Sequence, residues 1–175
     1  GTPNPEGGVI RREPGSQVPD GVLEESAHNL ALAKLMPALS LDQAMAMLEA
    51  GQALYMKYGY TTAQDGKSDA GTLQLLPMAA KAGKLKIDVV AYPDIEVALQ
   101  NPAMQGPFYG LNYTDHYRIG GVKISLDGSP QGKTAWLTKP YYKVPEGEKP
   151  DYSGYPAFPD AKVDDLITQA WGHGW

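Results

Sequence analysis

Apolar residues recur at helical spacing in several stretches of this chain and alternate in others, and proline or glycine separates one stretch from the next. Over residues 22–36, Leu23, Ala27, Leu30, Ala31 and Leu35 follow a 3.6-residue period that Pro37 stops, which predicts a helix. Ser40-Leu-Asp-Gln43 has the form of a capping box, and the stripe Ala44, Met47, Leu48, Gly51, Leu54, Tyr55 and Tyr58 runs on to Gly59, the strongest helix signal in the sequence. Residues 60–65 are short and β-prone and close at Gly66, predicting a strand that follows a helix with almost no loop. A helix over 69–82, interrupted late by Pro77, precedes a strand over 85–92 that Pro93 ends. A short helical stretch over 94–100 and a proline-containing loop lead to a third strand over 117–126, and an amphipathic helix covers 163–171.

Two segments lack any period. Residues 1–21, rich in Gly, Pro and charge, form a loop or short hairpin, and residues 127–159, dense in Gly, Pro and Tyr, form a long ordered loop of the sort that often carries function. The alternation of helices with three strands favours an α/β fold with a parallel sheet and crossover helices. A parallel sheet wants more strands and both faces covered, so residues 1–175 are expected to form a single unit that is an internal piece of something larger.

Composition narrows the classes. Of 175 residues 42% are hydrophobic, enough for one real core, and the net charge of −5 gives no footprint for a phosphate backbone, so nucleic acid is excluded as a partner. No apolar run is long enough for a membrane span and the first residues do not form a secretory signal, which predicts a soluble protein of the cytoplasm or periplasm. The absence of cysteine rules out disulfides, thiolate nucleophiles and Cys-based metal sites.

The chemistry is carried by the third strand. In Val122-Lys-Ile-Ser-Leu126 the aliphatic residues share one face and Lys123 the other. If that second face looks into a barrel interior, the ammonium loses hydration, and a neutral amine can take up carbon dioxide to give a metal-bridging carbamate. The plainer reading is a lysine at a strand end with its head in water. The context is the run from Gly121 through Asp127-Gly-Ser129 and Thr134-Ala135 to Pro140-Tyr141, followed by Gly154-Tyr155. With Gly59-Tyr-Thr-Thr-Ala-Gln-Asp65 and Gly21-Val-Leu-Glu-Glu25, this closely resembles the amidohydrolase superfamily, in the branch of N-substituted formamide deformylases and imidazolonepropionase-like hydrolases, over nearly the whole chain.

The resemblance implies a partial (β/α)8 TIM barrel, with the three strands as the barrel's second to fourth, and an active site at the strands' carboxyl ends. It implies one or two divalent metals, zinc foremost, and hydrolysis of a non-peptide C–N bond in a small amide, formamide or cyclic ureide. Of the family's ligands only the carbamylated lysine maps here, at Lys123. There is no His-x-His, and His28, His116 and His173 lie in separate segments without ligand spacing. No catalytic residue is therefore assigned, and residues 1–175 alone are expected to be inactive and metal-free. Asp127, Ser129 and Asp65 are candidates for the substrate side, against ordinary turn or hydrogen-bonding roles. Ser129 lacks the surroundings of a nucleophile, and Glu24 reads most simply as an exposed glutamate in a first helical turn.

A rival of another class is a self-contained binding module, in which Tyr141, Tyr142, Tyr152, Tyr155 and Phe158 stack on carbohydrate or peptide; the plainer account is that these rings pin the long loop. A naturally truncated regulator is a third reading. Exposed sheet edges and helix faces would favour self-association.

Overall fold

The computed structural model describes residues 1–175, whose contacts gather into two units, Gly1–Pro37 with Ser125–Asp165 and Ala38–Ile124 with Leu166–Trp175. In the first unit, strands β1 (Gly8–Arg12) and β2 (Pro19–Glu25) form an antiparallel hairpin in which Ile10 faces Leu23 and Val9 faces Glu24. Helix α1 (Ser26–Leu35) follows directly. The helix expected over 22–36 thus begins only at Ser26: Val22 and Leu23 are drawn into the hairpin, and cross-strand pairing overrides the helical period. The remainder of the unit is the long loop, as the sequence indicated, tied to itself by bonds such as Leu137 N to Ser153 O at 2.7 Å and Ala157 N to Leu126 O at 2.8 Å.

The second unit is built on a parallel sheet in the order β3 (Thr62–Ser68), β4 (Asp88–Pro93), β5 (Tyr117–Ile119). Helix α2 (Leu41–Lys57) starts at the expected capping box: Gln43 N donates to Ser40 Oγ at 3.2 Å and Ser40 N donates to Gln43 Oε1 at 2.9 Å. Its inward side shares Leu48 with the stripe that the periodicity marked and otherwise departs from it. Met45, Leu48 and Gln52 turn to the core while Met47, Leu54 and Tyr58 stay exposed. Buried Gln52 accepts from Lys86 N at 2.7 Å and donates to Lys84 O at 3.2 Å, clamping the turn that feeds β4. Helix α3 (Ala70–Lys81), capped by Asp69, runs through Pro77 to Lys81 and buries Leu73, Leu76, Ala79 and Ala80 on one face of the sheet. The four-residue helix α4 (Ile95–Ala98) follows β4, and the second half of α5 (Asp160–Gly172) buries Leu166 and Ala170.

The core lies on the α3 side of the sheet, where Val89, Ala91, Tyr117 and Ile119 meet that helix. Val90 and Arg118 take the alternate positions on the opposite face. The third strand, expected over 117–126, ends at Ile119 because Gly120 and Gly121 interrupt the ladder.

Candidate functional site

The carboxyl ends of the three parallel strands are laced together by the backbone. Asp94 N donates to Ser68 O at 3.1 Å, Lys123 N to Pro93 O at 2.7 Å, and Ile95 N to Lys123 O at 2.9 Å. Each strand beside β4 takes in one extra residue there. Pairing steps from Asp65 opposite Ala91 to Ser68 opposite Pro93, and from Ile119 opposite Ala91 to Lys123 opposite Asp94. A one-residue bulge reverses which face the following side chains take, and bulges gather where a strand has to re-aim a side chain.

At the second bulge the reversal sends Val122 into the core beside Ile119, so that Lys123 points from the other face. Gly120 is needed for this: a β-carbon there would lie 2.7 Å from Val90 Cγ2 and 3.0 Å from Tyr92 Cζ. The Lys123 side chain is exposed in residues 1–175. Nearby, Asp94 Oδ2 pairs with Lys67 Nζ at 3.3 Å while its Oδ1 accepts from Glu96 N at 3.0 Å.

Asp65 lies in line with Ala63 on the core side, half-buried, and accepts from buried Ser68 Oγ at 2.8 Å. Behind the sheet, the fully buried Tyr117 hydroxyl has no hydrogen-bond partner; burial first, and then the charge of Asp65, push it well above the ordinary tyrosine value. The histidines do not converge. His28 is exposed on α1, His173 stacks on Trp175 at 4.4 Å, and His116 pairs with Asp88 at 2.8 Å at the amino ends of the strands, opposite the Lys123 end. No three His, Asp or Glu side chains are grouped to hold a metal ion.

In the first unit the motif pieces from distant parts of the sequence meet. Asp127 Oδ2 accepts from Trp136 N at 2.9 Å, Ser129 Oγ accepts from Gly132 N at 3.1 Å, and Ser129 N donates to Thr134 Oγ1 at 3.0 Å. Thr134 Oγ1 in turn donates to the Glu25 carboxylate, and Tyr155 OH donates to Glu24 Oε2 at 3.1 Å. Glu24 is therefore neither exposed nor helical: it ends β2 and stands 3.6 Å from the Arg11 guanidinium, which also holds Glu148 at 2.6 Å. Burial, then the Glu24 charge and its hydrogen bond, raise the Tyr155 hydroxyl far above its ordinary value. The Tyr141 and Tyr152 hydroxyls donate to Ala135 O and Lys133 O, each at 2.8 Å, and the two rings stack at 6.0 Å. These rings pin the long loop, whereas Tyr142 and Trp136 are exposed. The pairings of Glu25 with Thr134 and of Glu24 with Tyr155, 109 and 131 residues apart, leave no periodic trace in the sequence.

The fold resembles two crystal structures of uncharacterized metal-dependent hydrolases. With the one from Pyrococcus furiosus the TM-score is 0.64 at 21% identity, over 95% of this chain and 34% of that one. With the one from Pyrococcus horikoshii OT3 it is 0.64 at 20% identity, over 94% and 33%. The chain thus spans about a third of the length of the structures it matches. No curated protein sequence matches it. The profile described as the amidohydrolase family matches residues 1–175, end to end. That match is decisive, and this chain belongs to the amidohydrolase family.

Proposed function

We propose that residues 1–175 supply the second, third and fourth strands of a (β/α)8 barrel in a metal-dependent hydrolase of non-peptide C–N bonds, with small amides, formamides or cyclic ureides as substrates. In that whole protein Lys123 is the metal ligand, as a carbamate, and zinc is the first metal to test. The observation that carries the reading is the placement of Lys123: bound through its backbone to the carboxyl end of β4, and turned by a bulge to the face away from the helix layer. Strand carboxyl ends are where barrel enzymes do their chemistry. Family membership and the likeness to metal-dependent hydrolases support the same reading.

Asp127 and Ser129 are proposed for the substrate side through their turn, since both side chains are already engaged in holding it. Asp65, on the core side, is better suited to fixing the bulge that precedes Ser68. One matching ligand and no cluster of metal-binding side chains leave residues 1–175 unable to hold a catalytic metal, so the polypeptide alone should neither retain zinc after dialysis nor turn over formamides. The test has two arms. Zinc retention and turnover by the 175-residue chain would contradict its inactivity. In the whole protein that carries this segment, Lys123→Ala should remove bound metal and lower kcat/KM by roughly 100-fold or more, as losses of a metal's supporting groups do, and full activity of that variant would sink the assignment.

A further inference from the structure

We infer that Glu25 is a positioning residue, whose carboxylate sets the direction of a hydrogen-bond relay that holds the 127–129 turn. The starting point is its backbone. Glu25 sits between β2 and α1 at φ 48° and ψ −117°, a conformation that side chains other than glycine avoid at a cost of about 1–3 kcal/mol. Helix capping does not account for a glutamate there, because its side chain makes no capping bond to α1. Its carboxylate instead accepts from Thr134 Oγ1, 109 residues away, and Thr134 is only 2% exposed.

A carboxylate can only accept, so the Thr134 hydroxyl is committed as donor toward Glu25 and presents a lone pair to Ser129 N–H. Thr134 N also donates to Ser129 O at 3.1 Å, which closes the turn from its other side. Gly128 fits against this pair so closely that a β-carbon would overlap both Thr134 Oγ1 and Glu25 Oε1. Glu25 therefore touches the turn both through Thr134 and across Gly128, and the backbone strain is offset by these contacts. The functional side of the inference rests on the proposed role of Asp127 and Ser129 as substrate-side groups; the relay itself does not.

The experiment measures hydrogen exchange at the Ser129 amide and the denaturation midpoint in the 175-residue chain and four variants. Glu25→Gly, at home at positive φ, should keep or raise the midpoint while Ser129 exchange accelerates by about 10-fold, the loss of one charge-assisted bond. Thr134→Val should accelerate it likewise, Thr134→Ser should restore protection, and Glu25→Gly with Thr134→Val together should be no worse than either alone. Unchanged Ser129 exchange in Glu25→Gly overturns the inference, as does additivity of the two changes. Should Glu25→Gly not fold, equal exchange in Thr134→Val and Thr134→Ser overturns it. Metal has no part in this readout, so the relay can fail with the hydrolase reading intact, or stand without it.

Discussion

A glycine just ahead of the motif run is a steric necessity. Gly120 has Val90 and Tyr92 where a methyl would go, so Gly120→Ala should destabilise the second unit by about 1–3 kcal/mol in denaturant titration, with little change in slope. Tyr117 presents the opposite situation, a buried hydroxyl with nothing to bond. Tyr117→Phe removes the unsatisfied group and keeps the ring against Phe108, 5.1 Å away, and should leave stability unchanged or higher by about 1 kcal/mol in the same titration. At this scale the sequence was partly legible. Lys123 could be singled out by its face of the strand and the motif around it, with exposure of its head as one of two readings, but the buried role of Gln52 was not legible, since it depends on what packs alongside.

Among the elements, the helices and the three parallel strands were found in the sequence, and the errors lie at boundaries that pairing decides. Ser40 and Gln43 announced α2, and Ser40→Ala should cost about 1 kcal/mol by losing one bond of that box, read as a lower thermal midpoint of the chain. The inward face of α2 was misjudged because methionines, alanines and leucines ring the helix and leave the period ambiguous. The second half of β2, from Val22, was read as helix since Leu23 fits both patterns until Ile10 is available as a partner. The third strand was read too long for the converse reason: the alternation of Val122, Ile124 and Leu126 continues across a glycine pair that breaks the ladder.

For the molecule as a whole, the family match over residues 1–175 spans both the parallel sheet and the motif pieces that meet at Glu24 and Glu25. The phenols of Tyr117 and Tyr155 are held protonated well above their ordinary value near 10. Above about pH 10 the unfolded chain releases those protons while the folded chain keeps them, so stability should fall as pH rises, and Tyr117→Phe should flatten that fall in denaturation midpoints taken across the alkaline range. Leu35, Met47, Leu54 and Tyr58 are exposed, and β3 stands at an edge of its sheet. We expect the polypeptide to self-associate with rising concentration, and a single monomeric boundary at all loadings in sedimentation velocity would refute this. No helix is long and apolar enough to cross a membrane.

The glycine pair before Val122 has one more implication, for how relatives of this chain are compared. Because the stretch from Ile119 to Lys123 holds one residue more than the stretch of β4 beside it, deleting either glycine would even out the ladder, with Val122 still toward the helices and Lys123 still opposite Asp94 on the other face. Homologues should therefore tolerate the loss of one residue in this short stretch without re-aiming the side chains that follow it. An alignment that opens a single gap within it still sets Lys123 beside Asp94.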